Sequence, residues 1–387
     1  MKSHLRPLKR AYRQSINALT RPFDERWMYD QFIPIQAVNR SALEYDLTYY
    51  DEDEFHAPPP MTDPGLAGFR ELPLHYQPVA LPKPYYFTVN DAVICGTDIV
   101  ATNNPERIFL ETYPEVSQFV EGSNHYIDRA LRKQAVKYGQ SADYDFETAY
   151  FFPSRAAQNY YHFLVDSCFR FLELERSGVV ASDTKILFNK MPTPWQMKHL
   201  KLLNISEDRI VVTGRKMTKV KNMVISASRR QRFAVSRQAI DAFGARMRAG
   251  FDIPDTPTPK RFLISRSLAK SRKIENEEAL VEALTPYGFE VALLENMSNE
   301  EQINLFANAE CIVAPHGAAL TNLIYANAPH VIELIPTDFW GWGYFIPLTH
   351  TMGGQHRAIV GQGRDHYKED FSVDIDAVLR AVSDLSL

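Results

Sequence analysis

The chain has 387 residues and a formal net charge of −4, with 45% hydrophobic and 23% charged residues. Those fractions exclude a disordered chain and a coiled coil, and the slight acidity excludes a protein built globally to hold nucleic acid. At about 150 residues per domain, the length suits two domains with a sizeable core.

Residues 1–84 carry eleven of the 24 prolines, with Pro58, Pro59 and Pro60 following an acidic run at 51–54. Proline lacks the N–H that helix and sheet require, so this segment is expected to be an irregular extension wrapped over the folded body. Its first 23 residues hold Lys2, Arg6, Lys9, Arg10, Arg13 and Arg21 and no acid. That reads as a frayed basic tail, or as a contact for an anionic membrane surface or a partner complex. No apolar run approaches the ~18 residues of a membrane span, and the N-terminus lacks a signal-peptide core, so a cytoplasmic protein is expected, with peripheral inner-membrane contact as a variant. Cys95, Cys168 and Cys311 stand far apart and read as buried thiols in a reducing compartment.

From Tyr85 the pattern changes. Strands at 149–152, 185–188 and 209–212 alternate with helices at 158–176 and 195–203, which predicts a parallel sheet flanked by helices in an N-terminal domain, 85–251. Residues 252–260, with Pro254, Pro257 and Pro259, read as a linker. A C-terminal domain, 261–345, then shows strands at 261–265, 289–294, 311–314 and 331–335, with helices at 275–285, 300–308 and 318–326. That is half of a doubly wound nucleotide-binding fold. Residues 346–387 are expected to pack back on the N-terminal domain. The aromatic run Phe339, Trp340, Trp342, Tyr344 and Phe345 suits either stacking on a sugar or base, or hinge-side packing.

Three clusters carry candidate chemistry. The strand at 311–314 passes through His316 into Gly317 and Ala318. A strand end that turns through glycine into a helix aims N–H groups and the positive helix end at one spot, which suits a phosphate; the same spacing fits an ordinary turn. At the end of the strand 261–265 stand Arg266, Lys270, Arg272 and Lys273, able to neutralise a diphosphate or to form a solvated loop balanced by Glu275, Glu277 and Glu278; Arg266 is the stronger candidate. In the first half, Asn159 precedes His162, Asp166 and Arg170, which recur every four residues and share a helix face opposite Tyr161, Leu164, Val165, Cys168, Phe171 and Leu172. They read as a base with its orienter, or as a solvated face with an Asp166–Arg170 ion pair.

No credible metal site is present. The triplets at 51–53, 143–145 and 374–376 space aspartates as some sugar transferases do, but composition accounts for them, and the last reads as a helix cap. The group Arg229, Arg230, Arg232 and Arg237 reads as a surface patch or as a site for an anionic acceptor.

The segment 261–336 resembles glycosyltransferase family 61 in its Ile-Ser-Arg-Ser strand end (264–267), Ile274, Asn276 and Glu277, the Tyr-Gly-Phe-Glu-Val run (287–291), Pro-His-Gly-Ala-Ala-Leu-Thr-Asn (315–322) and Val-Ile-Glu-Leu (331–334). Asn159, His162 and Asp166 match that family's upstream motif, so the resemblance covers 150–336. It implies a GT-B architecture, two Rossmann-like domains facing across a cleft. It further implies inverting, metal-independent transfer with no cofactor other than the nucleotide-sugar co-substrate. By that similarity Arg266, Arg272 and the amides of Gly317 and Ala318 hold the diphosphate. His316, Thr321 and Asn322 line the nucleotide-sugar pocket, and Glu333 takes the ribose hydroxyls. Asp166, or His162, is the base, with Asn159 and Arg170 on the acceptor side. The implied partners are a nucleotide sugar, UDP-linked, and a glycan or lipid-linked glycan acceptor in surface or capsular polysaccharide synthesis. Two other classes fit the cationic pocket: a polysaccharide pyruvyl transferase-like enzyme, and a non-catalytic member that binds nucleotide or glycan.

Overall fold

The computed structural model describes residues 85–95, 99–101, 108–109, 144–152, 158–214, 216, 218–226, 235–336, 345–363 and 370–384, with four short strands before residue 82. The basic N-terminal residues, the acidic triplet at 51–53, Asp143, Arg229, Arg230, Arg232 and the aromatics Phe339 to Tyr344 lie outside the described residues.

Two sheets organise the chain. The first contains β1 (Phe32–Ile33), β2 (Thr48–Tyr49), β5 (Tyr85–Cys95), β6 (Ile99–Ala101), β7 (Ile108–Phe109), β8 (Tyr144–Phe151), β9 (Lys185–Phe188), β10 (Ile210–Val212) and β11 (Thr218–Ser226), while β3 (Glu54–His56) and β4 (Val79–Leu81) pair with each other. Within it β8, β9, β10 and β11 are parallel, but β5 runs antiparallel to β11. The expected all-parallel sheet is therefore mixed. Its antiparallel part comes from β5, whose Phe87 and Val89 alternate inward as a half-buried strand does, and β1 and β2 from the proline-rich segment join it.

The second sheet has β12 (Arg261–Ile264), β13 (Glu290–Ala292), β14 (Cys311–Pro315), β15 (His330–Ile335) and β16 (Gln355–Val360), in spatial order β13-β12-β14-β15-β16. Every pair is parallel. Chain order reverses direction between β12 and β14, and in open α/β sheets ligands bind outside the carboxyl ends of the strands at that switch point. Arg266 follows β12 and His316 follows β14, so both stand there.

In the first half a π-helix, His162–Cys168, runs directly into α1 (Phe169–Arg176). It precedes α2 (Pro194–Leu202) and α3 (Arg237–Gly250). In the second half stand α4 (Glu277–Leu284), α5 (Asn299–Ala307), a 3₁₀ helix (Ala318–Tyr325), α6 (Phe345–Thr351) and α7 (Ile375–Asp384). Their starts follow local chemistry: Thr193 with Gln196 and Ser298 with Glu301 form reciprocal capping boxes, and the Asp374 carboxylate accepts from Ala377 N as the sequence predicts. The segment after Gly317 is 3₁₀ rather than α-helical. Leu320 to Tyr325 are all buried, and a three-residue period packs that uniformly enclosed stretch.

One apolar core is shared by both sheets. Tyr150, Phe152, Phe171 and Phe243 of the first half belong to the same packed cluster as Phe262, Phe306, Leu320 and Leu323 of the second. Residues 346–387 do not simply return to the first half. β16 extends the second sheet, and α7 packs Val378 and Val382 into the core that contains Leu280 and Ile332. α6 reaches back to the first half, where Arg237 Nη1 donates to Thr351 O. Cys168 and Cys311 are buried free thiols, and burial raises both, Cys311 to about 12.

Candidate active site

The π-helix positions a histidine–carboxylate pair. Asn159 Oδ1 accepts from the N–H groups of Tyr161 and His162 at 2.9 and 3.4 Å, so Asn159 caps the start of the helix. One turn on, His162 Nδ1 lies 2.6 Å from Asp166 Oδ2, with side-chain exposures of 19% and 7%. The stripe is not a solvated face, because Phe163, Leu164, Val165 and Asp166 are all buried around it. Arg170 is also buried and donates to the Ser226 carbonyl at the end of β11, which removes it from an open acceptor surface.

Across the switch point, Arg266 packs over Gly317. A Cβ at Gly317 would lie 2.9 Å from Arg266 Nη1, so a side chain there would push the guanidinium tip aside; the glycine's φ of 175° is ordinary extended backbone. Arg266 donates to Ser271 O, and none of the ion pairs among the described residues includes it. Burial lowers its pKa, yet a guanidinium stays charged at any ordinary pH. Arg272, held at a left-handed φ of 60°, donates from Nη1 to His316 O at 2.9 Å. Glu277 steadies the loop by accepting from Ser265 Oγ and Arg266 N. Thus Arg266, Arg272, His316 and Gly317 meet, with Ala318 beginning the helix beside them.

Glu333 is placed differently from its expected ribose-binding position. It lies inside β15, fully buried, because that strand continues through Ile335. Oε1 is 2.5 Å from His316 Nδ1, and Oε2 is 3.0 Å from His356 Nε2. Burial alone would raise the carboxyl; the two histidines outweigh it and bring it down to about 2. Burial lowers His316 against the pull of Glu333, leaving a neutral imidazole beside an ionised carboxylate. His316 is hydrogen-bonded to Glu333, His356 approaches its other oxygen, and among the described residues no group of three or more His, Cys, Asp or Glu side chains is arranged to hold a metal ion.

Thr321 and Asn322 are fully buried behind this cluster. Asn322 Oδ1 accepts from Tyr160 OH at 2.9 Å and its amide donates to Gln302 Oε1, so it joins the two halves. The two histidine centres are connected by rings. His162 meets Tyr161 edge-on with centroids 5.5 Å apart, Tyr161 meets Phe345 at 5.8 Å, and Phe345 lies 5.3 Å from His316.

The Glycosyltransferase 61 family model matches residues 160–332, from the start of the histidine helix into β15. Over these residues the chain is similar to glycosyltransferase family 61. No curated protein matches the chain. The matched segment thus contains His162, Asp166, both arginines and the His316 turn, while Glu333, Phe345, Thr349 and His356 stand beyond it. Sequence reasoning missed Thr349 and His356: neither stands in a motif, and only the pairing of β16 with β15 brings His356 to Glu333. No helix among the described residues is long and apolar enough to cross a membrane.

Proposed function

We propose that the chain is an inverting glycosyltransferase that moves a sugar from a nucleoside-diphosphate sugar, UDP-linked, to a hydroxyl of a glycan acceptor in surface-polysaccharide synthesis, with GT-B-like halves and no metal. The observation that carries this reading is the meeting of a histidine–carboxylate pair with an arginine cluster at the switch point, through the Tyr161–Phe345–His316 contacts.

The roles follow from proton and charge accounting. An ionised Asp166 accepts from Nδ1–H of His162, which leaves Nε2 as the ring's acceptor nitrogen. His162 is therefore the base and Asp166 its orienter, the reverse of the expected order. As the acceptor oxygen bonds to the anomeric carbon and the carbon–phosphate-oxygen bond breaks, the hydroxyl proton passes to His162 and the electron pair leaves on the diphosphate. Arg266 and Arg272, with the first-turn amides after Gly317, take the charge that develops there, the part a divalent ion plays in other transferases.

The test is thermal unfolding with a panel of nucleotides and nucleotide sugars, with and without EDTA, followed by product analysis. A stabilising shift with one nucleotide diphosphate, indifferent to chelator, together with a product of inverted anomeric configuration, is expected. No shift with any nucleotide would sink the reading and favour a phosphoenol donor or a glycan-binding role.

A further inference from the structure

β12 and β13 end side by side at the switch point. Phe262, Leu263 and Ile264 pair with Glu290, Val291 and Ala292 in parallel, and Ser265 N donates onward to Ala292 O at 3.0 Å. Arg266 and Glu295 therefore leave adjacent carboxyl ends, two and three residues beyond their strands. Glu295 is exposed, and among the described residues no hydrogen bond or ion pair holds its carboxylate. The backbone that presents it is fixed nonetheless. Leu294–Asn296 form one 3₁₀ turn, and the Gln302 amide on α5 donates to Leu294 O at 2.9 Å and to Met297 O at 3.2 Å. Gln302 Oε1 in turn accepts from Asn322, on the 3₁₀ helix that begins after Gly317. One side chain thus ties the turn bearing Glu295 to the helix whose first amides face the diphosphate site. Burial lowers the Arg266 pKa, and of the two acids that oppose this Glu295 acts more strongly than Asp370, whose Oδ1 already accepts from Lys273 N at 2.8 Å.

We propose that Glu295 binds the ribose of the nucleoside diphosphate, its carboxylate accepting from the 2′- and 3′-hydroxyls, and so fixes which end of the donor points toward His162. The assignment rests on the sugar-transfer reading. An ionised carboxylate has only acceptors to offer and repels phosphate, so an acid beside Arg266 suits a pair of neighbouring hydroxyls and not the diphosphate itself. Sheet order gives the direction. In the order β13-β12-β14 Glu295 stands on one side of Arg266 and His316 on the other, and the ring contacts of His316 lead through Phe345 and Tyr161 to His162. With the diphosphate on Arg266 and the transferred sugar at His162, the nucleoside extends toward β13. The ribose then meets an exposed acid at a strand end, where the enclosed Glu333 cannot reach it. The transferred sugar also carries neighbouring hydroxyls, and UDP, which lacks that sugar, tells the two sources apart.

The experiment is titration calorimetry on the full-length chain, comparing UDP, 2′-deoxyuridine diphosphate, UDP-N-acetylglucosamine and inorganic pyrophosphate in wild type, Glu295→Gln and Glu295→Ala. Both variants should melt as wild type does, because the side chain is exposed and holds nothing in the fold. Wild type is expected to bind the deoxynucleotide several-fold more weakly than UDP. Glu295→Ala should weaken UDP by about 10-fold and bring the two nucleotides to equal affinity. Pyrophosphate should bind the variant as tightly as wild type, or slightly more tightly, since a negative charge has gone. Glu295→Gln, whose amide oxygen still accepts from one hydroxyl, should fall between. Equal affinity of wild type for UDP and its 2′-deoxy form overturns the assignment. So does tighter binding of UDP and pyrophosphate alike in Glu295→Ala, the result for an acid that only tempers Arg266. A loss confined to UDP-N-acetylglucosamine, with UDP unchanged, moves the carboxylate to the transferred sugar and overturns the ribose assignment as well. In each of those cases UDP still binds and the sugar-transfer reading stands; a wild type that binds no UDP overturns that reading and this assignment with it.

Discussion

Two histidine–carboxylate pairs face each other across the Tyr161–Phe345 contact, and their surroundings separate their chemistry. His162 and Asp166 come from one turn of one helix, and the histidine keeps 19% side-chain exposure, enough to meet a substrate. His316 and Glu333 come from two strands, are enclosed, and are closed off by a second histidine. Similar ring-to-carboxylate distances thus serve different ends. The accessible pair can exchange a proton during a reaction, whereas the enclosed pair, its carboxyl held near 2, keeps its protons and sets an orientation.

The comparison breaks first at His162. Replacing it with alanine should lower kcat by about 10²- to 10⁴-fold, the usual worth of a general base, while the nucleotide-induced melting shift is retained. Equal loss of binding and turnover would place His162 in the donor site instead. Asp166→Asn should fall short of that loss, since the ring survives with its orienter weakened.

Arg266→Ala should weaken nucleotide-diphosphate binding by about 10- to 100-fold, as expected for losing charge-assisted bonds worth about 1.5–3 kcal/mol. Titration calorimetry with UDP measures it, and unchanged affinity would detach the arginine from the phosphate. Gly317→Ala pushes a methyl against the same guanidinium, at 2.9 Å, and should cost only a few-fold in affinity because the tip of a long side chain can give way.

The enclosed pair is sharpened by pH. Glu333 titrates near 2 when folded, below the ordinary value of about 4.3, so its ionisation contributes stability that is present above about 4.3 and lost as pH falls toward 2. His316, lowered by burial, acts in the same direction at higher pH: the unfolded ring takes a proton below about 6.5 before the folded one does. Urea midpoints followed from pH 7 to pH 2 should therefore decline in two windows, and Glu333→Gln should flatten the lower one. A profile as steep in the variant as in the wild type would contradict the ionised carboxylate. The smallest effect is expected from Tyr160→Phe, which removes the bond to Asn322 between the halves and should cost about 1 kcal/mol in chemical denaturation with little change in turnover.

Local patterns carried much of this architecture. Alternating β-branched runs and capped helices fix the strands and helices around the second sheet to within a residue or two, because hydrophobic period and cap chemistry act over a few positions. The same locality made His162 and Asp166 legible as a pair, and Arg266 and His316 legible as strand-end residues. β5 and its antiparallel partner β11 were not legible, since strand direction depends on which distant segment supplies the hydrogen bonds. Nor was the fate of the tail: β16 joins β15 by pairing across more than twenty residues of sequence.

The sequence by itself therefore determined the family resemblance, the alternating elements and the residue types at two strand ends, all properties of short windows. Tertiary structure alone decided that Glu333 is enclosed instead of open to a ribose, that Arg170 and Asn159 hold the frame, and that His356 stands beside Glu333. Burial and long-range hydrogen bonding are set by what packs from elsewhere in the chain, and no local period encodes them.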